Sequence, residues 1–317
     1  MTVTLRRADN DDDVELAAIS AITTAARPEW PTSVEEMRWS DETYPGTVRI
    51  IADLDGRPVG VATVGRIFIY PAEYDGLWGS VDVLPGVRRQ GVGGRLLRAI
   101  AGEASVIGKG FLHMSATEAR PDGITFLAHR GFVEIDRHRI VRLELAGVAR
   151  PSVVAPDGFE LTDLGSRPDL VASVHRVAVE AFPDVPGSEP MAAGELAEFR
   201  ERDVDRPGIP PGAFIVAVDT ATGEVAGYAS LLLLAGSSSE AVHDMTAVRP
   251  AWRGRGLATV MKQATIAWAI DHGLAALETG NDEANAAMRA VNARLGYRPR
   301  PDEVTMRGSV AAAMMEP

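Results

Sequence analysis

Apolar and polar positions follow the same pattern in two stretches of the chain. Each stretch has an apolar run, a polar turn that contains glycine, and a second apolar run. The first runs are residues 48–54 and 213–218, and the turns and second runs are residues 55–62 and 222–229. An apolar run, a glycine turn and another apolar run predict a β-hairpin in each stretch.

The elements predicted after the hairpins also occur twice in the same order. Further strands are predicted over residues 80–84, 110–115 and 133–145, and again over 242–248, 274–279 and 303–306. Apolar residues at helical spacing, namely Leu96, Leu97, Ile100 and Ala104, then Val260, Met261, Ala264 and Trp268, predict a helix in each copy. Residues 10–26 and 167–180 also look helical. We therefore expect an α/β (α+β) chain of two tandem units, each a mostly antiparallel mixed sheet flanked by helices. A Pro-rich linker over residues 149–158 divides it into 1–150 and 151–317.

A glycine- and arginine-rich motif marks the same point in both copies. Arg88-Arg89-Gln90-Gly91-Val92-Gly93 recurs 165 residues later as Arg253-Gly254-Arg255-Gly256-Leu257-Ala258. Two flanking landmarks keep this offset: Val83-x-Pro85 becomes Val248-x-Pro250, and Gly131-Phe132 becomes Gly296-Tyr297. Three landmarks in one register indicate a duplicated domain.

The motif stands between a predicted strand and a predicted helix, which favours an anion site. Backbone N–H groups are unpaired at a helix N-terminus, and the helix dipole is positive there. Glycine lets the backbone approach an anion closely, and arginine adds charge-assisted donors. A tight loop that packs a helix onto a sheet explains one such motif equally well. Neither copy ends in Gly-Lys-Ser/Thr, so the motif is not a P-loop.

Composition narrows the class of function. The chain has 317 residues, of which 46% are hydrophobic and 24% charged, and its formal net charge is −12. This charge disfavours binding to nucleic acid and weakly favours cationic substrates such as amines. The sequence contains no cysteine, which excludes disulfides and a cysteine nucleophile. No signal peptide or membrane-spanning stretch is predicted, so we expect a cytoplasmic protein without a membrane partner.

The motif Arg-x-x-Gly-x-Gly/Ala after a strand that ends in Val-x-Pro resembles the signature of the GCN5-related N-acetyltransferases (GNAT). The Asn-rich segment from Asn281 to Tyr297 resembles the region after the fifth strand of that family. The resemblance extends over nearly the whole chain as two tandem copies, a layout that mycothiol synthase also has.

The resemblance implies that acetyl-CoA is the co-substrate and that its pyrophosphate binds the motif. It also implies that the fourth and fifth strands splay apart near a bulge and admit the pantetheine arm. The residues expected to contact the cofactor are Val83, Arg88, Arg89, Gly91, Val92, Gly93, Gly94, Val248, Arg253, Gly254, Arg255, Gly256, Leu257, Ala258, Asn281 and Asn285. The amine of a small molecule is expected to attack the thioester directly.

A base must take a proton from the incoming ammonium. The candidates on the splayed strands are His243, Asp244 and Glu278 in the second copy, and Asp82, His113 and Glu118 in the first. In many family members a Tyr four residues before the Gly of the Gly-aromatic pair acts as the general acid that protonates the CoA thiolate. These positions hold Leu127 and Asn292 here.

We expect catalysis in the second copy. In the first copy, Pro121 and Gly123 occupy the predicted start of a helix, and the segment has no Asn. The first copy is then expected to retain CoA binding or to form a wall of the acceptor cleft. Residues 27–44 and 180–206 look like variable loops, which either contribute to acceptor walls or, in the simpler interpretation, pack their Trp and Phe side chains against the sheet.

Two other functions fit the same pattern. The missing Tyr in each copy is compatible with a non-catalytic protein that binds or senses acyl-CoA. A transferase that uses aminoacyl-tRNA also has paired domains of this kind, but the acidic charge argues against it. We expect a small-molecule amine as partner, no nucleic acid, and a monomer or homodimer.

Overall fold

The computed structural model describes residues 2–71, 73–235 and 239–315. They form two compact units. Unit 1 comprises Met1–Arg137 together with Asp302–Pro317, and unit 2 comprises His138–Pro301. Both units combine a mixed sheet with helices, so the predicted fold class is confirmed.

The bounds of the elements are as follows. In chain order the strands are β1 (Val3–Arg7), β2 (Val48–Leu54), β3 (Arg57–Arg66), β4 (Gly76–Val83), β5 (Phe111–Thr117), β6 (Val133–Glu144), β7 (Phe159–Asp163), β8 (Ile215–Asp219), β9 (Val225–Leu233), β10 (Glu240–Val248), β11 (Ala276–Asp282), β12 (Arg298–Pro299) and β13 (Glu303–Ser309). The α-helices are α1 (Asp13–Ala26), α2 (Val34–Thr43), α3 (Val92–Val106), α4 (Pro121–Ala128), α5 (Val171–Ala181), α6 (Leu196–Phe199), α7 (Leu257–Asp271), α8 (Ala286–Arg294) and α9 (Val310–Met314). In the part of the chain that the structure describes, no helix has the length and apolar character needed to cross a membrane.

The sheet of unit 1 has the order β1-β2-β3-β4-β5-β13. Its neighbours are antiparallel except β4 and β5, which pair in parallel from Gly76–Phe111 to Gly79–Met114. No pairing between these two strands is recorded beyond Gly79, although both continue. A gap therefore opens between β4 and β5.

The sheet of unit 2 has the order β6-β11-β10-β9-β8-β7, and β12 pairs with β6. The parallel pair is β10 with β11, from Glu240–Ala276 to Val242–Glu278. Between His243 and Thr246 the register of β10 against β9 shifts by one residue. The splay and bulge expected from the resemblance are both present in this unit, whereas β4 of unit 1 splays without a register shift.

The two sequence copies exchange their closing strands. Strand β6 follows α4 of the first copy, yet its residues 138–144 pair with β11 of the second copy. Strand β13 ends the second copy and pairs along its whole length with β5 of the first. The bounds of the compact units therefore differ from the sequence division at residue 150. The units follow the pairing of the strands, whereas the sequence division follows the duplicated motifs.

Each sheet carries helices on both faces. In unit 1, α3 buries Leu96, Leu97 and Ile100 against one face, and α1 buries Leu16 and Ile19 against the other. In unit 2, α7 and α5 occupy the corresponding faces. The apolar residues that recur at helical spacing in the sequence therefore form the buried faces of α3 and α7.

One expectation about a helix was wrong, and another was confirmed. The predicted loop 27–44 contains α2, whose N-cap Ser33 accepts a hydrogen bond from Glu36 N at 3.0 Å. Ser-x-x-Glu is the capping-box sequence, so the signal was present. The helix expected to start near Pro121 and Gly123 is present as α4, which begins at Pro121. Proline is favoured at the first helical position because no intrahelical partner exists there for its missing N–H.

The exchanged strand β13 is expected to be essential for the core of unit 1. Met306 is 3% exposed and packs in that core, while Met315 is 69% exposed. We expect Met306→Ala to lower the free energy of unfolding by about 2–4 kcal/mol, since it leaves a cavity. Thermal and urea unfolding measure the change, with Met315→Ala as the control. Equal stability of the two variants would show that β13 does not close this core.

Candidate functional site

The turn between β4 and α3 has the geometry of an anion site. A short 3-10 turn, Pro85–Val87, leads into Arg89 at φ 64° and Gly91 at φ 82°. Gly91 is the N-cap of α3 in the left-handed region, where glycine carries no steric penalty. The first N–H groups of α3 have no partner within the helix. They are the donors that the sequence predicts for a phosphate.

The turn before α7 has the same conformation. It follows the 3-10 turn Pro250–Trp252, with Gly254 at φ 77° and the N-cap Gly256 at φ 82°. In both turns the leading arginine ties the loop to the preceding strand. Arg88 Nε donates to Val83 O at 3.0 Å, and Arg253 Nε donates to Val248 O at 3.0 Å. The duplication therefore preserves the conformation of the loop as well as its sequence.

A cavity of about 500 Å³ lies in unit 1 between the turn before α3 and the splayed strands. One wall is β4, through residues 81–83, and the other is β5, through residues 115–117. Predicted cofactor residues that line it are Val83, Arg88, Arg89, Gly91, Gly93 and Gly94. A long, narrow ligand fits between β4 and β5 beyond Gly79, because the backbone N–H and C=O groups that face each other there are not hydrogen-bonded to one another.

The end of this cavity next to the turn before α3 is positively charged. Arg88 and Arg89 line it, and so does Arg130, which sequence reasoning missed. The Arg130 guanidinium lies 4.0 Å from the centroid of the Phe126 ring and donates to Phe126 O at 3.0 Å. Phe126 and Arg130 are four residues apart at the end of α4, and this helical spacing was the available signal.

The other end of the cavity contains carboxylates that are already in ion pairs. Buried Asp82 binds Arg27 through two contacts, Nε–Oδ1 at 2.7 Å and Nη2–Oδ2 at 2.9 Å. Burial raises the pKa of Asp82, and the Arg27 charge opposes that rise. Glu29 forms a two-contact pair with Arg120. Asp82 is therefore held by Arg27 rather than available as a base.

The other first-copy candidates are also engaged. His113 Nε2 lies 2.8 Å from the hydroxyl of Tyr74, and burial lowers the pKa of His113. Glu118 forms an ion pair with Arg137. Neither residue is among those that line the cavity.

The three second-copy candidates are not brought to one point. His243 is buried, with Nε2 at 2.6 Å from the hydroxyl of Tyr297 on the α7 side of the sheet. Asp244 follows on the opposite face of β10, where its half-buried carboxylate lies 3.8 Å from Arg206 Nη1. Glu278 is on β11 in register with Val242 and Arg142. Adjacent residues of a strand point to opposite faces, so His243 and Asp244 cannot share one task.

The predicted cofactor residues of the second copy take several positions. Arg253 also pairs with Asp184 at 2.7 Å, and Arg255 lies 5.9 Å from the Phe159 ring centroid. Asn285 is the N-cap of α8, and its Oδ1 accepts from Met288 N. Asn281 Oδ1 accepts from Asn292 Nδ2 at 2.6 Å. Gly254, Gly256, Leu257 and Ala258 form the turn and the start of α7.

A buried lysine distinguishes the core of unit 2 from that of unit 1. Lys262 on α7 is 1% exposed and lies 5.6 Å from the Tyr297 ring centroid. The duplication places it where unit 1 has fully buried Leu97. Burial lowers the pKa of Lys262 to about 7, and burial together with the Lys262 charge lowers the pKa of His243 well below its ordinary value. A lysine on the apolar face of a helix was the signal that sequence reasoning overlooked.

The sequence matches the model of the acetyltransferase (GNAT) family over residues 16–132 and 172–297. The chain therefore belongs to the GNAT family, and both of its copies match. A sequence search against curated proteins gives no significant match.

Several solved structures share this fold. A tandem GNAT protein from the clavulanic acid biosynthesis pathway has a TM-score of 0.79 at 22% identity, covering 98% of this chain and 99% of that one. A GCN5-related N-acetyltransferase from Sphaerobacter thermophilus has a TM-score of 0.73 at 16% identity, covering 97% and 96%. The N-myristoyltransferase of Saccharomyces cerevisiae with bound myristoyl-CoA has a TM-score of 0.68 at 11% identity, covering 97% and 79%. At these identities the likeness shows the fold, and the closer likeness to mycothiol synthase stays a prediction.

We expect Lys262→Leu, which restores the unit 1 residue, to stabilise the protein by about 2–4 kcal/mol near pH 6. The folded state has a pKa of about 7 at Lys262 against an ordinary value of 10.5, so the unfolded chain binds more protons between these two pH values. The gain should be complete below pH 7 and should shrink as pH rises toward 10.5. Unfolding in urea at several pH values measures it, with Lys109→Met as the control. A gain independent of pH would contradict a buried amine.

Proposed function

We propose that the chain is an N-acetyltransferase that moves an acetyl group from acetyl-CoA to the primary amine of a small molecule. Membership of the GNAT family supports acyl transfer in general. The absence of cysteine from the sequence supports direct attack by the amine, since no thiol is present to carry the acyl group. The acidic net charge of −12 supports a cationic acceptor over a nucleic acid.

The observation that carries the proposal is the cavity of unit 1. It joins a phosphate turn, an open strand edge and an arginine cluster in one continuous space of about 500 Å³. A CoA thioester has a diphosphate, an amide-bearing arm and a small acyl group in that order. The diphosphate fits the start of α3 beside Arg88 and Arg89, and the arm fits between β4 and β5.

The chemistry requires few protein groups. A backbone N–H on the splayed strand polarises the thioester carbonyl where negative charge develops. A carboxylate takes a proton from the ammonium, and the amine then attacks. The thiolate leaves without a dedicated acid, because a free thiol has an ordinary pKa of about 8.5. Leu127 and Asn292 at the usual Tyr positions are compatible with that route.

We assign the transfer step to unit 2 and acyl-CoA binding to both units. In unit 1 the carboxylate of Asp82 is held by Arg27 at 2.7 Å. In unit 2 Asp244 is the better base, since its ion pair with Arg206 is longer, at 3.8 Å. The pair of Arg253 with Asp184 joins two exposed side chains, and such a pair contributes at most about 1 kcal/mol. A phosphate group therefore displaces Asp184 from Arg253 at little cost in free energy.

A second candidate is a non-catalytic protein that binds acyl-CoA. Two observations favour this candidate. Arg27 holds the carboxylate of Asp82 in an ion pair, and both copies lack the Tyr that acts as general acid in many family members. Incubation with acetyl-CoA and a panel of amines, followed by free thiol release, separates the two. Binding of acetyl-CoA without turnover of any amine would favour the second candidate.

Reversing the charge at the phosphate turn tests acyl-CoA binding. We expect calorimetry to find two acetyl-CoA molecules per chain, and Arg89→Glu to weaken one of them 10- to 100-fold, because it replaces a charge-assisted donor by a repelling charge. Arg57→Glu, on an exposed residue at the start of β3, makes the same change in net charge and is the control. Equal affinities for the two variants would contradict a diphosphate at this turn.

Exchanging carboxylate for amide tests the division between the units. We expect Asp244→Asn to lower kcat by about 100-fold or more, since it removes the base. The matched change in unit 1, Asp82→Asn, should leave kcat within about threefold, because Arg27 already holds that carboxylate. Stopped assays of acetylated product give kcat for both. A large loss confined to Asp82→Asn would place the transfer in unit 1.

A further inference from the structure

Arg130 lines the cavity of unit 1 without a counter-charge. Its Nη1 donates to Phe126 O at 3.0 Å, and its guanidinium lies 4.0 Å from the centroid of the Phe126 ring. Among the residues that the structure describes, no carboxylate pairs with Arg130, and the charge that acts on it is that of another arginine, Arg98. The face of an aromatic ring is a weaker partner for a cation than a carboxylate or a phosphate. The ring therefore fixes the position of this guanidinium and leaves its other N–H groups for a further acceptor.

Phe126 and Arg130 rest on the first turn of α3. A methyl group added at Gly93 would lie 3.4 Å from Phe126 Cε2, and one added at Gly94 would lie 3.2 Å from Arg130 Nη2. The two glycines therefore leave the space that the ring and the guanidinium occupy. All four residues line the cavity, beside the N–H groups of the helix start that have no intrahelical partner.

This position is electrostatically unfavourable for an arginine. The N-terminal end of a helix is positive, so a guanidinium placed there is repelled. Burial lowers the pKa of Arg130, and the charge of Arg98 lowers it further. Arg88 and Arg89 line the same end of the cavity. Cations collected at a helix N-terminus bind a group with more than one negative charge, and such a group removes the repulsion between them.

Unit 2 lacks this arrangement. At the offset of 165 residues, Phe126 and Arg130 correspond to Val291 and Leu295, and Gly94 corresponds to Thr259. Leu295 packs against the apolar core of unit 2 and brings no charge to the turn before α7. The aromatic ring, the guanidinium and the glycine that makes room for it therefore occur together in one copy and are replaced together in the other.

We propose that Arg130 binds a phosphate group of CoA, and that this contact makes acyl-CoA binding depend more strongly on the phosphates in unit 1 than in unit 2. The guanidinium donates to the anion while it stays against the Phe126 ring. The diphosphate and the 3′-phosphate of CoA offer the same chemistry, and a comparison of CoA with 3′-dephospho-CoA separates them. The inference rests on the proposed function, because it takes the cavity of unit 1 as an acyl-CoA site.

Calorimetry with CoA tests the inference in chains that also carry Arg253→Glu, which weakens the site of unit 2 so that the titration reports unit 1. We expect Arg130→Met to weaken CoA binding at least about tenfold, because it removes a charge-assisted donor. The control is Arg66→Met, since Arg66 also lies over an aromatic ring, at 4.8 Å from the centroid of Phe68, but does not line the cavity. Thermal unfolding without ligand should give the two variants similar midpoints.

Titration with 3′-dephospho-CoA identifies the phosphate. If Arg130 binds the 3′-phosphate, the Arg130→Met and Arg66→Met variants bind 3′-dephospho-CoA equally. If it binds the diphosphate, Arg130→Met weakens both nucleotides by the same factor. Either result supports the contact and assigns it to one phosphate.

The outcomes separate this inference from the proposed function. Equal affinities of Arg130→Met and Arg66→Met for CoA overturn the inference and leave the transferase standing. A clearly lower unliganded midpoint for Arg130→Met than for Arg66→Met assigns Arg130 a structural role and overturns it as well. The absence of CoA binding in a folded chain with Arg253→Glu refutes both the inference and the acyl-CoA site of unit 1. Weaker CoA binding by Arg130→Met, in a protein that acetylates no amine, supports the inference and refutes the transferase.

Discussion

The proposed binding of acyl-CoA depends on the backbone N–H groups at the start of α3 and α7, which have no partner within their helices. Gly91 and Gly256 take the same left-handed conformation, at φ 82° in both, and each is the N-cap of a helix that follows a splayed strand and a short 3-10 turn. The N–H groups that follow have no partner in the helix, and the dipole makes the end positive. A diphosphate satisfies both conditions. The sheet positions these two turns, and the residues around them decide what each copy does.

The duplication makes the two copies informative about one another. The turns agree in conformation, but the surrounding charges do not. Unit 1 surrounds its turn with Arg88, Arg89 and Arg130 and holds its strand carboxylate with Arg27. In unit 2 the carboxylate of Asp244 lies 3.8 Å from Arg206 Nη1. The same fold therefore surrounds the two turns and their neighbouring strands with different charges.

Local patterns predicted much of the fold. The predicted strand 48–54 matches β2 residue by residue. The fixed offset of the motif predicted the positions of the turns before α3 and α7. The exchange of β6 and β13 was not predictable, because strand pairing between distant segments leaves no local signal. For the same reason the sequence named Asp82 among the first-copy candidates and Asp244 among the second-copy candidates without indicating which side chain holds either carboxylate. Their difference depends on Arg27 and Arg206, which are distant in sequence and adjacent in space.

A crystal structure with bound CoA tests the central claim most directly. The account predicts diphosphate oxygens within hydrogen-bond distance of the backbone N–H groups that follow Gly91, with the pantetheine arm between β4 and β5. Density for the diphosphate at any other part of unit 1, with the turn at Gly91 unoccupied, would contradict it.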